Sequence, residues 1–230
     1  MKKIVILSGA GVSAESGIKT FRDSGGLWEG YDVMDVASPE GWARDKNMVL
    51  NFYNERRKNA LAAQPNEGHK IIAALEQYFK VTVVTQNVDN LHEKAGSTHV
   101  IHLHGELFKS QSTIDPGLIY DIEGWELNEG DTCEKGSQLR PHIVWFGELV
   151  PMMTKAVEET ISADIFIVIG TSLQVYPAAG LLEYVPSTKP KFIIDPKMPV
   201  LPFRPHLTLI EEVGSVGMSK VRDILLEEYR

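Results

Sequence analysis

The sequence predicts an α/β fold, a parallel sheet flanked by helices, and three observations carry that expectation. Short runs of branched apolar residues recur along the chain, as in strands buried on both faces. Stretches of helical period stand between them. The first apolar run, Lys3-Ile4-Val5-Ile6-Leu7, leads directly into a glycine-rich turn at Gly9 and Gly11.

In chain order, residues 3–7 form the first strand, and residues 81–85, 100–104, 165–169, 191–194 and 207–210 read as further strands. Helices are expected over 65–79, 155–162 and 218–229, the last with Val221, Ile224 and Leu225 on its apolar face. Two stretches interrupt the alternation. Residues 21–64 are rich in helix formers and carry Trp28, Tyr31, Trp42, Phe52 and Tyr53; residues 106–140 are turn-rich and irregular. The expectation is one compact chain, with a sheet lobe over about 1–25, 66–105 and 141–230. A smaller lobe is assembled from the insertions at about 26–65 and 106–140, and the substrate cleft lies between the lobes.

With 230 residues, 43% of them hydrophobic, the chain can bury a substantial core without metals or disulfides. Its net charge of -8 argues against a broad basic surface for nucleic acid. The opening Met1-Lys2-Lys3 precedes too short an apolar run for a signal peptide, and no stretch has the length to cross a bilayer. Cys133 has no second cysteine to pair with, so a reducing cytosol is the simplest setting and a cytoplasmic location is expected.

Gly9, Gly11 and Ala14 fit the G-x-G-x-x-G/A form, in which glycines admit a pyrophosphate and the opening amides of a helix face the anion. A tight strand-to-helix turn explains the same residues equally well. An ordinary dehydrogenase also needs an acidic residue at the end of a second strand; Asp32 and Asp35 have the distance but no strand before them, and read as solvated. The run Thr85-Gln86-Asn87-Val88-Asp89-Asn90-Leu91-His92 begins where a strand ends, the place where open α/β sheets bind ligands. Amides and a carboxylate there suit a carboxamide or ribose hydroxyls, and equally suit turns and caps. His104 closes another strand on the same side as His102 and is the nearer to the cleft, a candidate general base with Gly105 leaving room for a ligand. His99, His102 and His142 read as structural or exposed.

Five blocks occur in the order found in the sirtuin family, which the chain resembles over nearly its whole length. They are GAGVSAESGIKTFR from Gly9, TQNVDNLH from Thr85, the pair His104-Gly105, RPHIVWFGE from Arg140, and GTSLQVYPAA from Gly170. The resemblance implies a Rossmann-like sheet lobe and an NAD-dependent protein-lysine deacylase. Its products would be nicotinamide, O-acyl-ADP-ribose and free lysine. It implies His104 as general base and Asn87 in the catalytic centre. The cofactor would meet Gly9, Ala10, Gly11, Ser13, Glu15, Phe21, Arg22, Gln86, Asn87, Asp89, Gly170, Ser172, Asp195 and Val216. Phe21 would shield the reacting carbon from water, and Asp195, where the family usually has asparagine, would favour NAD over NADP. An acylated lysine in a protein or peptide would add as a strand to Val144, Trp145, Phe146, Gly147 and Glu148, with Trp145 and Phe146 flanking its channel.

Within the family, the similarity is closest to bacterial and mitochondrial enzymes that remove acidic acyl groups. Tyr53 and Arg56, three apart on a helix, would grip the distal carboxylate of succinyl or malonyl lysine. The bland alternative is a solvated run of Glu55, Arg56, Arg57 and Lys58. Most sirtuins also bind structural zinc through four cysteines, and this chain has only Cys133, near the second pair, with Ser110 near the first. No zinc site is expected. Residues 109–138 should then hold by apolar packing of Ile114, Leu118, Ile119, Tyr120, Ile122 and Trp125. A mono-ADP-ribosyltransferase and an NAD-sensing binding protein are the competing readings.

Overall fold

The computed structural model describes residues 1–19, 27, 28 and 30–230. In chain order the elements are β1 (Lys3–Ser8), α1 (Gly11–Ala14), β2 (Leu27–Trp28), β3 (Tyr31–Asp32), α2 (Val33–Val36), α3 (Pro39–Arg44), α4 (Lys46–Ala62) and α5 (Glu67–Ala74). Then come β4 (Lys80–Thr85), α6 (Leu91–Ala95), β5 (Val100–His102), β6 (Gly105–Ser112), β7 (Ile119–Asp121), β8 (Leu139–Ile143) and α7 (Met153–Ile161). The chain closes with β9 (Ile165–Ile169), β10 (Lys191–Ile194), β11 (Leu207–Ile210) and α8 (Gly214–Glu228).

Six strands form one parallel sheet in the order β11-β10-β9-β1-β4-β5. From β1 the chain runs outward through β4 and β5, then crosses back to β9 and runs outward the other way. Strand order therefore reverses between β1 and β9, and the crevice beyond their carboxyl ends is the switch point where such sheets take ligands. Alternation within each strand feeds two cores. Ile4, Ile6, Val83, Ile165 and Ile167 pack on one face with Ile72, Met218 and Leu225; Val5, Leu7, Val84, Phe166 and Val168 pack on the other with Ala156, Leu181 and Leu182. Each buried Leu or Ile side chain contributes about 2 kcal/mol.

A third core joins the two insertions: Val36, Trp42, Val49, Leu50, Phe52 and Tyr53 from the first meet Leu107, Leu127, Ile143 and Trp145. Residues 106–140 are more regular than the sequence suggests, because β7, β6 and β8 form an antiparallel sheet. Lys109, Ser110 and Gln111 break the apolar alternation of β6, and a register shift between Gly105 and Ser110 disturbs it further, which hid the strand.

Other expectations need correction. The strand expected over 100–104 ends at His102, so His104 sits in the turn beyond it. Ile114 and Ile119 are exposed rather than packed, and of the six apolar residues named for this segment only Ile122 joins the small-lobe core. The segment is instead tied down by Arg57, fully buried on α4 within the run that the alternative reading made solvated. Its Nε donates to Trp125 O (2.7 Å), its Nη1 to Leu107 O (3.2 Å) and its Nη2 to Asn54 Oδ1. Asn54 Nδ2 donates to Leu127 O (3.2 Å), while Leu127 N donates to Asn54 Oδ1 (3.0 Å). A guanidinium this deep is tolerable because its donors meet polar acceptors. Among the described residues no group of three or more His, Cys, Asp or Glu is placed to hold a metal ion, and Cys133 lies buried with its Sγ 3.3 Å from Ser112 Oγ.

Candidate functional site

The loops after β1, β4 and β9 converge on the switch point. Gly9 and Gly11 meet the β9 loop so closely that a Cβ on Gly9 would stand 2.7 Å from Thr171 Cβ, and one on Gly11 would stand 2.7 Å from Gly170 Cα. Gly170 itself has φ +64°, the left-handed region that favours glycine. These glycines are therefore demanded by backbone against backbone. The helix after the turn is a single turn, and the amides of Gly9, Gly11, Val12 and Ser13 already donate to the carbonyls of Ile169, Gly170, Gly9 and Ala10. The expected helix follows the turn but is only Gly11–Ala14, and these four amides are spent within the chain. Gly105 is likewise needed by its neighbours, since a Cβ there would strike the His142 carbonyl.

The loop after Thr85 brings the polar side chains. Asn87 Nδ2 spends both hydrogens, on Gly9 O and Ser13 Oγ (each 3.1 Å), which leaves the Asn87 side chain an acceptor toward any ligand. Ser13 Oγ passes the chain on by donating to Asp89 Oδ2 (3.1 Å), and Asp89 Oδ1 accepts from Leu91 N (3.1 Å) at the start of α6. Asp89 thus joins the cluster and holds the first amide of α6 at once. Burial raises its carboxyl above the usual range, against the opposing pull of the Leu91 amide, Ser13, His102 and Arg56. Gln86 Nε2 donates to Thr171 Oγ1 (3.1 Å), a partner the sequence did not single out. Asn66 was missed too; it ties Val12 O (2.7 Å) and Ser16 Oγ (3.0 Å) to the start of α5, and its position before Glu67 was a legible capping signal.

His104 lies beside this loop with Nδ1 3.0 Å from Gln86 O. A carbonyl only accepts, so Nδ1 carries the proton and the neutral ring keeps its lone pair on Nε2. Burial lowers the His104 pKa from 6.5, partly opposed by that hydrogen bond, so the ring is neutral at pH 7. His102 and His142 have structural partners, as read: His102 pairs with Glu93, and His142 Nδ1 lies 2.7 Å from Gln111 Oε1.

A cavity of about 520 Å³ opens between this loop and α4, lined by Ile18, Lys19, Arg56, Lys58, Asp89 and Leu107 among others. Arg56 stacks over Trp28 (4.2 Å) at its edge. Tyr53 does not face the cavity openly: it is fully buried, its hydroxyl accepts from Trp145 Nε1 (3.1 Å), and burial pushes its pKa to about 12. Trp145 is buried as well, under the Arg140 guanidinium at 3.4 Å, whereas Phe146 is 44% exposed. Glu148 is clamped by Arg140 at 2.6 and 3.1 Å and accepts from Trp145 N (2.8 Å). Val144 N, Phe146 N and Glu148 N are also donated within the chain, so strand addition along 144–148 would have to rely on Gly147 N and the carbonyls.

Four other sequence candidates are placed less directly. Glu15 turns to the first turn of α8, accepting from Ser215 N (2.9 Å) and Ser215 Oγ (2.6 Å). Val216 is exposed there and Ser172 is half-buried. Asp195 is buried at the end of β10 and accepts from Lys197 N (2.8 Å). Phe21 and Arg22 lie outside the described residues.

The buried acceptors at the switch point, with glycines too close for any side chain and a cavity reaching Asp89, fit a dinucleotide with a ribose at its reactive end. Fold and site together define a doubly wound α/β protein of the nucleotide-binding class. A family model described as the Sir2 family matches residues 9–177. The chain belongs to the Sir2 family. NAD-dependent protein deacylases of Bacteroides thetaiotaomicron and Helicobacter pylori are 52% and 49% identical to it, over 98% and 99% of this chain and 99% of each relative. A Sir2 homolog–NAD complex superposes with a TM-score of 0.88 at 38% identity, covering 98% of this chain and 90% of that one. A Sir2 homologue bound to ADP-ribose gives 0.90 at 37%, with 98% and 92% covered.

Proposed function

We propose that this chain, an NAD-dependent protein-lysine deacylase, acts on lysines carrying acidic acyl groups such as succinyl and malonyl as well as on acetyl-lysine in proteins or peptides. The observation that carries the reading is His104: a neutral imidazole with its proton held at Nδ1 and its lone pair at Nε2, beside a buried amide-carboxylate cluster. When bound, NAD supplies the ribose carbon that receives the acyl oxygen as nicotinamide leaves.

The residues divide the remaining work. Asn87 Oδ1 and Gln86 accept from ribose hydroxyls or the carboxamide, and Asp89 with Ser13 holds that loop in place. His104 Nε2 takes the proton of a ribose hydroxyl. Gly9, Ala10, Gly11, Gly170 and Ser172 line the far side of the crevice, with Asp195 accepting from the second ribose, and Phe146 covers the lysine entrance. Arg56 is the cation that reads the acyl terminus, by a paired charge-assisted bond to a carboxylate. Tyr53 supports it from beneath, its hydroxyl hydrogen available while Trp145 occupies the oxygen.

The test is mass spectrometry of matched acetyl-lysine and succinyl-lysine peptides with NAD, following nicotinamide and both peptide masses. Loss of both acyl groups, with succinyl preferred, is expected; intact peptides with nicotinamide released would point to ADP-ribosyl transfer and overturn the reading. His104→Ala should lower kcat by about 10²- to 10⁴-fold. Arg56→Met should cut succinyl turnover far more than acetyl turnover, and equal losses would remove the acyl-selectivity claim.

A further inference from the structure

His102 stands two residues before the base but faces other partners. Its Nδ1 lies 3.1 Å from Asn87 O and its Nε2 lies 2.8 Å from Glu93 Oε1. A backbone carbonyl and a carboxylate are both acceptors, so a ring that satisfies both must donate from both nitrogens and carry a positive charge. The side chain is 9% exposed. It thus joins three elements: β5, on which it sits; the loop after β4, which holds Gln86, Asn87 and Asp89; and α6, which holds Glu93.

We propose that His102 is a positioning residue of the deacylation site, an imidazolium clasp that holds the backbone of Asn87 and loosens the cofactor loop when Nδ1 gives its proton to water and the neutral ring keeps its Nε2 hydrogen on the Glu93 carboxylate. The proposal rests on the reading of residues 86–89 as the loop that receives NAD. Asn87 is otherwise anchored by its amide on Thr85 Oγ1 (3.0 Å) and by its side chain on Gly9 and Ser13. The clasp is the restraint that reaches it from the β5 side and the only one of these that titrates.

The surroundings favour the cation. Burial works against it, but the Glu93 hydrogen bond and charge, the Asn87 carbonyl and Glu106 outweigh burial and raise its pKa above 6.5. Facing it are Glu93 and His92 from α6, Asp89 from the loop, Glu106 and Lys109 from β6, and His142 from β8. Asp121 from β7 lines the same cavity of about 240 Å³. Lys109 is paired with Glu106 at 3.0 Å, and burial lowers the pKa values of His92 and His142, so the cations nearby are few or neutralised. His104 and His102 are thereby driven in opposite directions, one to be a neutral base and the other a charged clamp.

Two measurements on the full chain test this. Nitrogen-15 histidine spectra should show both His102 nitrogens protonated at neutral pH, with a midpoint that falls in Glu93→Gln. Calorimetric NAD binding without peptide should weaken as pH rises through that midpoint, by about three- to tenfold, the worth of one hydrogen bond. The weakening should move to lower pH in Glu93→Gln and disappear in His102→Leu. With peptide added, the KM for NAD should follow the same curve more strongly than kcat. A singly protonated ring at neutral pH, or a midpoint that moves in Glu93→Gln while NAD affinity does not, overturns the proposal. If NAD binding follows His102 but acyl peptides stay intact, the deacylase reading falls and the clasp stands.

Discussion

The two lobes are held together by different physics. The parallel sheet is packed on both faces by apolar side chains, and its buried strand residues are Ile, Val, Leu and Phe apart from Ser8, Thr82, Thr85 and Lys191. The small lobe has a thinner apolar core and depends on polar groups at depth: Arg57 and Asn54 bond to Leu107, Trp125 and Leu127, and Tyr53 meets Trp145. A single guanidinium, that of Arg57, ties α4 to the segments around Leu107 and Trp125. Apolar burial is forgiving of small losses, whereas a polar brace fails at once when one member leaves buried carbonyls unpaired.

That contrast can be broken first at Arg57. Arg57→Met should cost about 3–5 kcal/mol by urea denaturation, because Leu107 O and Trp125 O lose their donors together. Limited proteolysis should then cut between residues 113 and 137 before the sheet lobe opens; simultaneous loss of both lobes would show that the brace is not local. Acid should expose the sheet lobe's own weak point. His69 is fully buried in α5, and burial lowers its pKa from 6.5 to about 4, with Glu15 and Glu93 opposing. The unfolded chain takes up that proton more readily, so stability present above pH 6.5 is lost as pH falls toward 4, by about 3 kcal/mol. Thermal melts at pH 7.5 and 5 on wild type and His69→Phe would read this, and equal pH slopes in both would remove the claim.

Smaller effects sharpen the comparison inside the small lobe. Tyr53→Phe leaves Trp145 Nε1 without its acceptor and should cost about 1–2 kcal/mol in chemical denaturation. Ser38 is fully buried, accepts from Gly41 N (2.9 Å) at the start of α3 and donates to Met34 O (2.5 Å), so Ser38→Ala should cost about 1 kcal/mol. A chelator should leave the Tm unchanged, and elemental analysis should find no stoichiometric zinc; a chelator-induced drop would mean that metal shares the brace's task.

Much of the sheet lobe was legible along the chain. Strands β9 and β10 fall where continuous branched apolar runs announce them, because two-sided burial leaves its mark on consecutive residues, and the half-exposed edge strand β11 falls where its own short run predicts it. The strand β6 was not legible, since its pairing survives a register shift and a polar stretch that local pattern cannot distinguish from a loop. Within the site, Gln86, Asn87, Asp89 and His104 were picked out as candidates from strand ends and residue chemistry, while the partners of Glu15 and Trp145 could not be read along the chain. Glu15 reaches Ser215, 200 residues away, and Trp145 is closed in by Tyr53 and Arg140.

The sequence by itself determined the α/β class, the turn after the first strand, the run of amides and acid after Thr85, and membership suggested by five ordered blocks. Each of these is written in neighbouring residues, where periodicity and spacing act. Only the tertiary structure decided that Arg57 is a buried brace and not a solvated charge, that the glycines of the first turn serve the loop after β9, and that the surroundings of His102 and His104 push their pKa values in opposite directions. Those properties depend on which carbonyls and carboxylates arrive from distant segments, as Trp125 does at a separation of 68 residues from Arg57, and on how much water burial removes.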